Sequence, residues 1–502
     1  MNRLCLSLAA LTVLGLWLPA SGEEAAPYEV PLEGQRIAFD LANLDLEVEV
    51  RAGAEPLLQA RPLADGVEPA AILEVTTRGN GVTVSRRDQP EPKSRDLALR
   101  VTLDLTQALS IHGRELNLAL RAEVADDESL EVEEEAVPET DGEEEQPAPE
   151  TTEEPAATEP TPAPGKTPVT IDVAESEVVL TGVDGGTVTL EAGSLVATGC
   201  QGQLTISASG GPVEVRGYDG SLRLAGREAE LTISDGRGPV NLELEGGSLF
   251  ASQGRGPVSG RGINARVQLE GWEGAPTING QGTTIEIRRS RGLRATTSGE
   301  NLDVTVEGWR GALTARLGAS SLRGSGWSGA AEVTARNGTS VDLSDLNGPL
   351  TLSLLEGSTA TLNGVNGELK ANVADSSFEG NQLRIIGITA RQSRVTIGGA
   401  TRISELTVVD GELDADLSPM RGKATVTLMG RSHGRFRLSE PCLVRTIGPA
   451  GMLGAGATVS GCDQRLSGQR KRRHARSLEG DVPAELKLVL DADASADVTG
   501  YP

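Results

Sequence analysis

Eight side chains recur at two adjacent phases of this chain, and their chemistry is that of a surface for an acidic polymer. Tyr218, Trp272, Trp309 and Trp327 each stand two residues before a glycine, and Arg237, Arg255, Arg291 and Arg310 each stand one residue before one. Aromatic faces pack on the apolar faces of sugar rings, and the guanidinium fork grips carboxylate or sulfate groups. If equal phases are stacked, they form rows, with three of the four tryptophans beside a row of arginines. A plainer reading has the rings covering an apolar corner while the arginines keep its edge soluble. It is favoured by the isolation of Tyr218 and by Trp309 and Trp327 being the only pair in adjacent repeats.

Other chemistry is sparse. The three histidines, His112, His433 and His474, are far apart. No nucleophile motif, phosphate loop, CxxC, HExxH or calcium nonapeptide occurs. Enzymes built on β-helices need clustered carboxylates in a walled cleft. Here acidic residues are scattered among short, nearly uniform repeats, so the chain reads as non-enzymatic, with no metal and no cofactor. Cys442 and Cys462 are separated by about one repeat, so in an oxidising compartment they can pair as a disulfide. Cys200 then remains a thiol. The alternative is that all three are small buried thiols. The run Arg470-Lys471-Arg472-Arg473-His474-Ala475-Arg476 is either a site for anionic polymer or headgroups, or a solvated linker.

The element that must position these residues is a repeat. Gly186, Gly202, Gly220, Gly238, Gly256, Gly274, Gly292, Gly311, Gly329, Gly348 and Gly367 recur every 16 to 19 residues, each opening a short alternating strand. A second strand follows, marked by Leu195, Val213, Leu231, Leu249, Val267, Ile285, Val304, Leu322, Val341, Ala360 and Phe378 at steps of 18 or 19. One such unit cannot bury its apolar side chains alone, but stacking pairs each strand with its copies above and below, about 4.8 Å away. The spacing predicts an all-β fold, a parallel β-solenoid (β-helix) over residues 168–462. Weaker copies at Ile388, Leu406, Ala424 and Leu443 bring it to about fifteen coils of 18 residues.

The flanks differ in composition. Residues 1–22, with Arg3, an apolar run from Leu4 to Leu18 and small residues Ala20 and Gly22, read as a signal peptide cleaved before Glu23. The mature chain is then expected outside the cytoplasm without a membrane span: periplasmic, at the cell surface or secreted. Residues 28–121 alternate in half-buried fashion, with Arg78-Gly79-Asn80-Gly81 as a hairpin signal, and predict a small β unit. Residues 122–167 carry seventeen acidic residues and no Lys or Arg between Ala122 and Gly165, the composition of a disordered linker. A basic linker at 463–481 and a strand or cap at 482–502, around Leu486-Lys487-Leu488-Val489-Leu490, complete the chain. Formal charge is -26, which does not suit a nucleic-acid partner.

An alternating region followed by coils such as Gly202-Gln203-Leu204-Thr205-Ile206, Gly311-Ala312-Leu313-Thr314-Ala315 and Gly348-Pro349-Leu350-Thr351-Leu352 resembles a bacterial adhesin family of the head-domain β-solenoid type. Gly262-Ile263-Asn264 matches the triplet of that family's informal name. The resemblance covers about residues 30–460, apart from the acidic insert, which a typical member does not carry. It implies an exported solenoid with an adhesive role and brings no catalytic residues with it. The expected function is therefore cell-surface adhesion or envelope-polymer binding. The alternatives are a structural spacer without ligand and, third, a carbohydrate-processing enzyme.

Overall fold

The computed structural model describes residues 27–32, 36–51, 54–62, 69–78, 81–86, 97–104, 108–122, 169–418, 420, 422–439, 442–448, 457–466 and 484–501. The expected signal peptide 1–22, the acidic tract from 123 onward and the basic run 470–476 lie outside these residues. The chain is all-β, and a parallel β-solenoid of about 15 turns occupies residues 170–437. Two compact units are distinguished: residues 1–173 with 177–186, and residues 174–176 with 187–502.

Within a coil, alternation decides which side chains enter the interior. Leu222, Leu224, Leu231 and Ile233 are buried, whereas Arg223 and Thr232 between them face outward. Parallel pairing then stacks like on like. Leu204, Leu222, Val240 and Val258 form one register line. Leu195, Val213, Leu231, Leu249, Val267 and Ile285 form another. All eleven residues that marked the second strand, Leu195 to Phe378, are buried.

The corners carry the conformational cost. Left-handed residues recur at two phases, for example Glu228, Asn264 and Asn301 at the first corner and Asp235, Gln253 and Arg289 at the second. The marker glycines do more than permit a turn. Gly256 has φ +128, and a Cβ built on it would overlap the carbonyl oxygen of Gly238 in the preceding coil. The row thus brings successive backbones closer than any side chain allows.

A second device was not legible beforehand. The first inward position after the first corner becomes a row of buried hydroxyls, including Thr283, Ser320, Thr339, Ser358, Ser376, Ser393 and Ser432. Ser320 Oγ donates to the Gly318 carbonyl at 2.7 Å and accepts from the Leu302 amide at 2.9 Å. Ser376 N–H likewise reaches Ser393 Oγ at 3.2 Å. The hydroxyls satisfy amides where the strand ladder is interrupted.

A small β region precedes the solenoid, as expected, and several of its strands pair in parallel. Arg36–Ala42 and Asp45–Arg51 pair in parallel with Ala108–Arg114 and Asn117–Ala122, turning through left-handed Asn43 and Glu115 as the coils do. Asn117–Ala122 pairs in parallel with Glu177–Thr181. The expected hairpin is present between Leu73–Arg78 and Gly81–Arg86.

The carboxy-terminal order is also different. The strands beside Lys423–Met429 and His433–Ser439 are Ala484–Leu490 and Ser495–Tyr501. Cys442–Ile447 and Ala457–Ser460 pair on the far side of those same strands. Residues 484–501 are therefore an inner layer, not an end cap, and Leu443 is half-exposed while Cys442 and Val444 point inward. Cys442 and Cys462 form a disulfide with Cα atoms 5.0 Å apart. Cys200 is a buried thiol directed at the Thr198 carbonyl at 3.9 Å.

The two uses of glycine separate experimentally. Gly271 has φ +62 with open space at its Cβ, so Gly271→Ala should cost only the left-handed penalty, about 1 kcal/mol. Gly256→Ala should cost distinctly more, because backbone must move. Thermal melts of the two variants check the order.

Candidate functional site

The structure takes the aromatic row out of contention as a ligand surface. Tyr218, Trp272, Trp309 and Trp327 are all buried, at 3%, 1%, 0% and 1% exposure. Their phase follows the second corner and points inward. Trp272 Nε1 donates to the Gly256 carbonyl at 2.8 Å, Trp309 Nε1 to the Ala312 carbonyl at 3.1 Å, and Tyr218 Oη to the Gly238 carbonyl at 3.2 Å. Burial pushes the Tyr218 hydroxyl well above its ordinary pKa. Trp327 Nε1 finds no acceptor among the described residues.

Room for two of these rings, Tyr218 and Trp272, comes from glycine one coil away in the same row. A Cβ on Gly236 would overlap the Tyr218 ring, and one on Gly254 would overlap the Trp272 ring. At a spacing of about 4.8 Å, two large rings cannot both lie flat in successive layers without small neighbours. The row is not uniform: Gly236 and Gly254 stand between Tyr218 and Trp272, whereas Trp309 and Trp327 follow one another in successive coils.

The arginines do face outward. Asp219, Arg237, Arg255, Glu273 and Arg291 are bridged in sequence along one corner, Arg291 pairs with Arg310, and Arg310 with Ser328. Glu273 divides the row, with Arg255 at 3.3 Å and Arg291 at 2.5 Å. Among the described residues Arg237 and Arg310 have no carboxylate at ion-pair distance. Between Arg291 and Arg294 the register shifts, a β-bulge that lifts Leu293 out of the sheet to 92% exposure. Leu293 therefore stands among Arg291, Arg294 and, in the next coil, Arg310. Bulges redirect side chains and concentrate at functional sites. In the sequence it left a one-residue lengthening of both rows, from Gly292 to Gly311 and from Ile285 to Val304.

Two further clusters were not anticipated. Ser110 Oγ lies 2.9 Å from His112 Nε2, with Asp172 at 3.7 Å from His112 Nδ1. His433 Nδ1 lies 2.8 Å from Ser495 Oγ, with Asp497 at 3.7 Å from Nε2. Both combine the residue types of a hydrolase triad. Both also sit on the outer face of paired strands, half-exposed, where neighbouring amides are committed to the ladder rather than converging on an oxyanion. A shallow groove of about 740 Å³, floored by Ser207 and Ala225 and edged by Arg227, Glu243, Glu245 and Arg261, runs along five coils. No three His, Cys, Asp or Glu side chains converge to hold a metal among the described residues.

No family model, curated protein or solved structure matches the chain.

The shared volume of the ring row is testable by a double-mutant cycle. Gly254→Ala should strongly destabilise the native chain, and much less in a Trp272→Ala background where the ring is gone. Trp309→Ala should itself cost about 3–5 kcal/mol, as a buried truncation does, rather than merely trim a surface. Denaturant unfolding of the four variants reads both effects.

Proposed function

We propose that this chain is an exported, non-enzymatic β-solenoid protein that holds an anionic envelope polymer, or the polymer coat of another surface, along the arginine-bearing corner of its coils. The observation that carries the reading is the bulge: Leu293 is lifted into solvent beside Arg291 and Arg294 and next to Arg310, in a row of exposed side chains that follows the stacking direction. An extended acidic chain meets guanidinium groups at successive coils, and its less polar face meets Leu293. Repetition of weak contacts supplies affinity that no single exposed arginine has. Export is supported by the leader-like residues 1–22 and by the disulfide, since such bonds persist in oxidising compartments. No described helix is long and apolar enough to cross a membrane.

A spacer without ligand is the second reading, and it has its own observation. Many outward charges are matched within the rod: Arg227 with Glu245 at 3.0 Å, Arg394 with Glu412 at 2.9 Å, and Glu286, buried, with Arg266 at 2.5 Å and Arg288 at 3.0 Å. A surface that neutralises itself coil by coil has less charge to offer a partner.

Binding to polygalacturonate and dextran sulfate, with neutral dextran as control, separates the two. The polymer reading expects salt-sensitive binding of the acidic polymers, weakened about tenfold by Arg294→Glu with Arg310→Glu. Ala225→Trp, which fills the shallow groove, should leave it intact. Loss through Ala225→Trp alone would move the site to the groove, and no binding by the wild type would leave the spacer. For export, the mature protein should begin at Glu23 by amino-terminal sequencing.

A further inference from the structure

The layer formed by residues 484–501 lies between two layers that precede it in the chain. Continued coil by coil, Cys442–Ile447 would pair with Lys423–Met429, and it does not. Lys423–Met429 pairs with Ala484–Leu490, and only that strand pairs with Cys442–Ile447. His433–Ser439 pairs with Ser495–Tyr501, which pairs in turn with Ala457–Ser460. The chain steps over one coil height, then fills the gap with residues made later.

The gap is specific for its occupant. Leu486, Leu488, Leu490, Ala496 and Val498 are buried and complete the core rows on both sides. Glu485 is clamped from both neighbouring layers, by Lys423 Nζ at 3.5 Å and Arg445 Nε at 2.6 Å. His433 holds Ser495 at 2.8 Å, and the Gly430 amide donates to Asp491 at 3.3 Å. An arbitrary extended strand offers the ladder hydrogen bonds but not the paired carboxylates or the apolar spacing.

We propose that this gap is a strand-pair slot, and that it accepts residues 484–501 of a second copy of this chain, joining two rods by exchange of their inserted layers. The strand pairings and ion pairs given above join the layer to residues far away in sequence, so none of them depends on which chain delivers it. The covalent link contributes only effective concentration, which a second copy matches as its own concentration rises. An unfilled slot exposes two facing strand edges and a missing core layer, the condition under which strand addition is favoured. The second copy is the partner whose matching sequence is on the page.

The test uses full chains and the register itself. Thr425 and Lys487 are exposed register partners on neighbouring parallel strands. The native disulfide joins Cys442, at the start of one strand, to Cys462, one residue before the parallel strand beside it, at a Cα separation of 5.0 Å, so adjacent layers stand close enough for a bridge. One copy carries Thr425→Cys, a differently tagged copy carries Lys487→Cys, and the two are co-expressed and oxidised. A control chain carries both substitutions. The control should cross-link within one chain. The mixture should yield a covalent two-chain species that increases with expression level, disappears on reduction and falls at least tenfold when the second copy also carries Glu485→Lys. A control that closes while the mixture stays uncoupled at every expression level overturns the proposal. A control that fails to close overturns it as well, because Lys487 then does not stand beside Thr425. A heterodimer indifferent to Glu485→Lys also rejects the slot, since coupling would then be random collision of exposed thiols.

Discussion

The distance of about 4.8 Å between hydrogen-bonded strands governs this molecule. Once successive coils are held at that spacing, each residue's nearest neighbour is the residue of equal phase one coil away. A side chain is then acceptable or not because of what stands above and below it. The marker glycines satisfy that condition at its most severe, where the Gly256 Cβ position is already occupied by the backbone of Gly238. The ring row satisfies it by sharing volume, Trp272 lying where Gly254 leaves space. The hydroxyl row satisfies it by exchanging hydrogen bonds between layers, as Ser320 does with Leu302.

The same rule acts on the outside with the opposite consequence for function. Outward charges are brought within reach of each other, and Arg255, Glu273 and Arg291 form a local ladder of alternating sign. Such exposed pairs add little stability. They do reduce the charge presented to solvent, so unmatched charge remains where the ladder is incomplete. Arg310 and Arg294 occupy such a place, and the bulge at Leu293 is a departure from the uniform stack at the same point. A regular rod gains a distinguishable spot by breaking its own period.

A stack of parallel strands also has ends, and its end rows of amides and carbonyls are templates for further pairing. At the carboxy-terminal side the chain departs from its sequential order there, with residues 484–501 lying inside the layer formed by Cys442–Ile447 and Ala457–Ser460. The Cys442–Cys462 disulfide ties together the strands of that outer region. Closing a loop of this length constrains the unfolded chain by about 3 kcal/mol on an entropic account.

Much of this was determined by the sequence alone. Period-two alternation inside an 18-residue recurrence admits one arrangement that buries every Leu, Val and Ile of the marker rows, so coil, interior and parallel register were all legible. The cysteine spacing, close to one coil, was legible for the same reason. Tertiary structure decided three things. It turned the ring row inward, because phase identifies a row but not the face at a corner, where a left-handed residue such as Asp235 rotates the chain. It joined Asn117–Ala122 to Glu177–Thr181 across the long acidic insert, because strand pairing reads side-chain pattern and backbone edges, not distance along the chain. It placed residues 484–501 beneath residues that precede them, since the layer order of a stack is set by which edges fit. Periodicity describes every coil alike and carries no information on that choice.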